Sequence, residues 1–295
     1  MNIHNYAVNN LVKIFKILFN EYRKKITFEQ LIFYKMKINF YKYHGAGNDF
    51  ILLDDRENKY NILSYQQIAF LCHRRFGIGA DGLMLLQNHP EYNFKMIYYN
   101  SDGHEGSMCG NGGRCITAFA AMLGIIKEKT NFLASDGPHE AYIQENGSIK
   151  LRMSDVFNVE INEDYFFIDT GSPHYVTFRK NVVSEDVLTE GRKIRYNERF
   201  SKEGTNVNFV EKKGDHIFVC TYERGVEEET LSCGTGVVAS ALAAIKNKAA
   251  GFYQINAKTK GGDLSVYCTK VSDTIFNNIW LEGPAAFVFE GEIEI

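Results

Sequence analysis

The pattern Cys-Gly-x-Gly occurs twice, as Cys109-Gly110-Asn111-Gly112 and as Cys233-Gly234-Thr235-Gly236, and each copy leads into an apolar run with helical character. The first run follows Gly113 as Arg-Cys-Ile-Thr-Ala-Phe-Ala-Ala-Met-Leu and stops at Gly124. The second follows Gly236 as Val-Val-Ala-Ser-Ala-Leu-Ala-Ala-Ile-Lys. Both are apolar nearly all round, which demands burial on every face. The copies are 233 − 109 = 124 residues apart, about the size of one small domain. Two similar, pseudo-symmetric halves are therefore expected, each a mostly antiparallel sheet or barrel wrapped around one central helix, in the α+β class. The boundary is placed near Met153, giving halves 36–153 and 154–278. A strand-like final segment, 279–295, is assigned to the first half.

Short period-two runs at Ile38–Tyr43, Phe50–Leu53, Leu83–Gln87 and Phe94–Tyr99, bounded by Gly, Asn and Asp, predict strands. A helix is expected to begin at Ser64, where Ser64 and Gln67 make a capping box, and to end before Gly77. Residues 1–35 stand apart. They hold six basic residues against Glu21 and Glu29, leaving 27 basic and 34 acidic residues downstream, net −7. Leu11, Ile14, Phe15, Leu18 and Tyr22 recur there at helical spacing, so a basic amphipathic helix is one reading. The favoured reading is a dispensable extension ahead of an internal start at Met36.

A 295-residue chain with 45% apolar residues can fill more than one core. Its net charge of −3 gives no reason to expect nucleic acid or an anionic membrane as partner, and a small-molecule substrate fits better. Apolar runs fall short of the roughly 20 residues that span a bilayer. Six well-separated cysteines (Cys72, Cys109, Cys115, Cys220, Cys233 and Cys268) and no visible signal peptide point to reducing cytoplasm. A homodimer is allowed by the sequence but not specified by it.

A cysteine followed by glycines at a helix start sits beside free backbone N–H groups and the positive end of the helix dipole. The thiolate is favoured there and a carboxylate can dock next to it. Removing a proton from an amino-acid α-carbon needs a base on one face, an acid on the other and stabilisation of the carboxylate. Two opposed thiols at two helix starts supply all three. Gly77-Ile-Gly79-Ala-Asp-Gly82 matches a dinucleotide fingerprint by letter, but it follows a helix and leads into a strand, the reverse of the required order. It reads as a turn. No phosphate loop, Cys-x-x-Cys pair or His-Glu-x-x-His helix is present. Cys72, Cys115, Cys220 and Cys268 read as core residues.

From Met36 onward the chain resembles the diaminopimelate epimerase family. The resemblance runs through His44-Gly-Ala-Gly-Asn-Asp-Phe50, Asn100, Met108-Cys-Gly-Asn-Gly-Gly-Arg114, Gly171-Ser-Pro-His174, Asn206-Val-Asn-Phe209, Glu223-Arg-Gly225 and Ser232-Cys-Gly-Thr-Gly236. It implies interconversion of LL- and meso-2,6-diaminopimelate without pyridoxal phosphate or any other cofactor or metal, in lysine and peptidoglycan-precursor biosynthesis. Carried over, it makes Cys109 and Cys233 the acid and base, with the Gly110–Asn111 and Gly234–Thr235 amides on the reacting carboxylate. Asn48, Asn100, Asn206 and Arg224 match substrate-binding residues, Arg224 being suited to the distal carboxylate. Glu223 and His174 match residues that bind the amino group or tune the thiols.

Three positions depart from the commoner pattern. Ser172 replaces an Asn, Gly82 replaces a Gln found in some members, and the run from Arg224 to Cys233 carries one extra residue, for which a local bulge is expected. The rival within the same fold is a proline or hydroxyproline racemase, whose first motif typically has His where this chain has Asn111. The rival from another class is a non-enzymatic redox or ligand-binding protein.

Overall fold

The computed structural model describes residues 36–106 and 108–295; the expectations for residues 1–35 lie outside them. The first half runs β1 (Lys37–Gly45), β2 (Asn48–Asp54), α1 (Tyr65–Cys72), β3 (Gly82–Gln87), β4 (Phe94–Asn100), α2 (Gly110–Met122), β5 (Lys129–Ala134), β6 (Gly137–Ile143) and β7 (Ile149–Arg152). The second runs β8 (Val159–Ile161), β9 (Phe166–Asp169), β10 (Pro173–Phe178), α3 (Val187–Arg195), β11 (Asn206–Lys213), β12 (His216–Glu223), β13 (Glu228–Thr230), α4 (Gly234–Ala244), β14 (Gly251–Thr259), β15 (Gly262–Lys270) and β16 (Phe276–Gly283), and β17 (Ala286–Glu294) ends the chain.

The repeat is carried by topology. In the first half a β1–β2 hairpin is followed by a helix crossover to parallel β3, antiparallel β4, a second helix crossover to parallel β5, and antiparallel β6 and β7. The second half repeats the order with β9–β10, α3, β11, β12, α4, β14, β15 and β16. Only the two helix-bearing crossovers in each half join parallel strands, because a parallel connection needs a long link whereas a hairpin does not. β7 pairs with β16, so the halves share one ladder, and β17 pairs with β1. This is a two-domain α+β fold whose sheet does not close into a barrel.

The central helices α2 and α4 sit inside their strands. Cys115, Ile116, Phe119 and Ala120 of α2 and Val237, Val238, Ala241 and Leu242 of α4 are buried in one apolar cluster with Phe94, Phe132, Leu151, Val176 and Leu281. At roughly 1.5–3 kcal/mol for each large apolar side chain removed from water, this cluster outweighs the weak helix propensity of the glycine-rich first turns. Cys72, Cys220 and Cys268 are likewise buried.

Boundaries differ from expectation in physically informative ways. α2 and α4 begin directly after each cysteine, so the glycines form the first turn instead of preceding it. β1 and β2 extend to a two-residue turn at Ala46 (φ 52°) and Gly47 (φ 86°), a turn with both central residues at positive φ that lets two strands pair to their ends. The Ser64–Gln67 capping box is present and α1 ends at Cys72, before Gly77 as expected, where His73 becomes extended. α3 was not foreseen. It is short and mostly polar, with Gly191 in its middle, yet Asp186 caps its start and Arg192, Lys193 and Arg195 crowd its last turn. A Cβ at Gly191 would meet Tyr222 at 2.4 Å, so the glycine permits close packing on β12. The extra residue before Cys233 makes no bulge. β12 and β13 pair in unbroken register, and the turn between them uses Gly225 (φ 94°) and Glu227 (φ 61°).

Candidate active site

Cys109 and Cys233 occupy the same place in the two halves, each the N-cap of its helix with an extended backbone (φ −97°, ψ 135° and φ −113°, ψ 111°). The two helix starts abut. A Cβ on Gly234 would lie 3.6 Å from the Gly110 Cα and 3.0 Å from Leu281, so the glycine after each cysteine is what lets the termini approach. Backbone amides of Asn111 and Gly112 point to the Cys109 sulfur, and that of Gly236 to Cys233. All six cysteines are free thiols.

Asn111 joins the two motifs. Its Nδ2 donates to the Ser232 carbonyl (3.0 Å) and to Asn48 Oδ1 (3.2 Å), while its Oδ1 accepts from Arg114 Nη2 (2.8 Å). Asn48 Oδ1 also lies 3.6 Å from Cys109 Sγ, and its Nδ2 donates to Asp81 (2.7 Å). Asp81 is in turn held by Arg74, which also grips Asp49. On the other side Thr235 Oγ1 is 3.5 Å from Cys233 Sγ, and the Thr235 carbonyl accepts from Thr170.

The thiols do not have the lowered pKa expected from helix position alone. Burial pushes the Cys109 thiol up, the amides of Gly112 and Asn111 offset this in part, and the Glu223 carboxylate adds to the rise. Cys233 is likewise raised, by burial and then by Glu223. Desolvation wins because a thiolate in a water-poor cleft loses more hydration than two or three amides restore. Glu223 is itself pushed up by burial. Its charge raises both sulfurs, so it lies within electrostatic reach of each.

His174 is fully buried and burial, then the Arg224 charge, pushes it down to about 3, so the imidazole is neutral. Its ring packs against the first turn of α4, with Cε1 3.3 Å from where a Cβ on Gly236 would stand. Asn206 donates to the Pro173 carbonyl (3.1 Å) and accepts from the Arg224 backbone N–H (2.9 Å), so it braces the turn that carries Arg224. The Arg224 side chain is exposed, with Nη1 donating to the Glu203 carbonyl (3.1 Å). Asn100 ends β4, where its carbonyl accepts from Gly103 and its Nδ2 lies 2.9 Å from a would-be Gly106 Cβ.

Gly82 opens β3, where a Cβ would meet the Tyr98 ring at 2.5 Å. Tyr98 fills the space that a longer side chain at 82 needs. Arg114, Asp81 and Asn208 bond to Asn111, Asn48 and His174 respectively, and each lies within or beside a sequence motif that assigns it no role. The signal for Arg114 was a lone cation heading an otherwise apolar helix. It is fully buried, and its Nη1 and Nε reach the Gly110 and Pro284 carbonyls.

The diaminopimelate epimerase family model matches residues 40–158 and 166–288. A diaminopimelate epimerase of Flavobacterium psychrophilum is 50% identical over 254 residues, 86% of this chain and 99% of that one. One of Chlorobaculum tepidum is 42% identical over 261 residues, 85% and 99% of the two chains. Among solved structures, a Bacillus anthracis PhzF-family phenazine biosynthesis protein aligns with TM-score 0.66 at 16% identity, over 88% of this chain and all of that one. A hydroxyproline epimerase from Agrobacterium vitis aligns with TM-score 0.65 at 14% identity, over 89% and 94%. At such identities the last two speak for the fold alone.

Proposed function

The chain belongs to the diaminopimelate epimerase family, and from that premise we propose that it interconverts LL- and meso-2,6-diaminopimelate with Cys109 and Cys233 as the acid–base pair. The observation that carries the assignment of residues is the abutment of two helix N-termini, each with a cysteine at its N-cap position. A substrate carboxylate seated at that junction would face amides from both helices, and these stabilise the charge that develops when the α-proton leaves. One thiolate removes the proton from one face while the opposite thiol delivers another. The activity is that of an isomerase, an amino-acid epimerase without pyridoxal phosphate.

The other roles belong to the same proposal. The Gly110, Asn111, Gly234 and Thr235 amides take the reacting carboxylate. Glu223, within electrostatic reach of both thiols, takes the substrate ammonium, and that cation offsets the burial which raises both thiols. Asn48, Asn100, Asn206 and Arg224 serve the rest of the substrate, with the exposed Arg224 fork on the distal carboxylate. The lobes 36–153 with 279–295, and 154–278, enclose it. A cytoplasmic setting and a homodimer, readable by light scattering, complete the reading.

Incubating the purified chain with LL-diaminopimelate and, separately, with L-proline tests the substrate. Formation of meso product with no proline racemisation is expected. Racemised proline with untouched diaminopimelate would overturn the substrate assignment.

A further inference from the structure

The two halves match strand for strand, so each residue under one cysteine-bearing helix has a counterpart under the other. Phe50 pairs with Gly82 and Met84 with Tyr98 in the first half. His174 pairs with Asn206 and Asn208 with Thr221 in the second. Phe50, Met84 and Tyr98 thus correspond to His174, Asn208 and Thr221. Both trios lie beneath the first helical turn. Met84 Sδ is 3.3 Å from a would-be Cβ on Gly112, and Phe50 packs edge-on against Tyr98. Under α4 the same spot, beside Gly236, holds Asn208 Oδ1 at 2.3 Å with His174 Cε1 and Thr221 Oγ1 both at 3.3 Å.

One half therefore fills this place with aromatic rings and a thioether, and the other with three buried polar side chains. Burying polar groups where apolar ones serve costs stability unless all are paired. All are paired except one atom. Asn208 Nδ2 lies 3.2 Å from the Tyr175 carbonyl and 3.0 Å from His174 Nδ1, and its Oδ1 accepts from Thr221 Oγ1 at 2.9 Å. Flipping the amide would set its oxygen against the Tyr175 carbonyl, so its NH2 must face His174. Nδ1 then accepts and the ring proton sits on Nε2, which is buried with no protein partner.

We propose that Asn208 and Thr221 are positioning residues that fix His174 as the neutral Nε2–H tautomer, giving the Cys233 side of the cleft a proton donor that the Cys109 side lacks. The donor carries no charge, so it steadies negative charge that the reaction brings to that side without competing with the substrate ammonium for Glu223. The inference rests on the two-thiol reading above.

Nitrogen-15 spectra of ring-labelled protein, with His174→Gln used to assign the signal, read the tautomer without any turnover. A pyridine-like Nδ1 and a pyrrole-like Nε2 are expected. In Asn208→Asp the carboxylate accepts from Nδ1, so the pattern should reverse, and kcat should fall at least tenfold with KM changed less than twofold. Thr221→Val, which frees Asn208 to turn, should give a smaller loss, and Thr221→Ser should restore it. A pyrrole-like Nδ1 in the unaltered protein, or full kcat in Asn208→Asp with the tautomer reversed, overturns the proposal. If the chain failed to epimerise diaminopimelate while the spectra came out as expected, the substrate reading would fall and the tautomer assignment would stand.

Discussion

At the residue scale the six cysteines divide by what surrounds them. Burial raises all six, Cys115, Cys72 and Cys220 to about 12 and Cys268 to about 11, and what sets Cys109 and Cys233 apart is their place at helix starts among backbone amides. Alanine at Cys109 or Cys233 is expected to abolish epimerisation in a direct stereochemical assay. Alanine at each of the other four should cost about 1–2 kcal/mol of stability, as small core truncations do, and leave kcat within a factor of two. His174 gives a pH signature. Its folded value of about 3 lies below the ordinary 6.5, so between those pH values the unfolded chain binds a proton that the folded chain refuses. Stability is then full above pH 6.5 and falls as pH drops toward 3, by up to about 1.4 kcal/mol per pH unit. In denaturant titrations against pH, His174→Gln should flatten that slope by one proton. An unchanged slope would mean that His174 is solvated.

At the scale of elements, the sequence was most legible where one signal dominated. The all-apolar helices, the capping box at Ser64 and the strand cores all appear, since burial and side-chain hydrogen bonding are local in their demands. What escaped depends on distant partners. α3 is stabilised by packing Gly191 onto Tyr222, a contact invisible in its own polar letters. The acidity of the motif thiols was misjudged because helix position is written in the sequence, whereas the burial that overrides it comes from both halves together. Lys270 is a further case. It is 2% exposed, and its Nζ donates to the carbonyls of Ile245, Lys246 and Lys248 and to Asp273. It thus closes the C-terminal end of α4, where free carbonyls and the negative dipole end await a cation. Lys270→Met keeps the stem and removes the donors. A loss of about 1.5–3 kcal/mol is expected in chemical denaturation, with little change in kcat at 25 °C, because the other end of α4 holds the cysteine. A loss of kcat without loss of stability would show that the two ends of the helix are coupled.

For the whole molecule, the first expectation concerns residues 1–35. The family match begins at residue 40 and the first described strand at Lys37. Deleting 1–35 should leave the midpoint of thermal unfolding and the specificity constant unchanged, and a collapse of either would make the extension part of the enzyme. The last expectation concerns the meeting of the halves, since neither alone places two thiols at one carbon. If Cys109 and Cys233 act from opposite faces, the proton removed stays on one sulfur while the hydrogen delivered comes from the other, which has exchanged with solvent between turnovers. In D2O, meso product formed early from LL-diaminopimelate should therefore carry deuterium at the inverted carbon, and the remaining LL substrate should stay protiated. A single mobile base would return the original protium to the product. Burial and Glu223 raise both thiols, which adds a pH arm to the test. With both thiols held mainly protonated near neutrality, raising the pH across the neutral range should increase the rate without altering the isotope pattern. Protiated product at low conversion, measured by mass spectrometry at several pH values, would leave no place for two separate thiols, however closely the two helix starts approach.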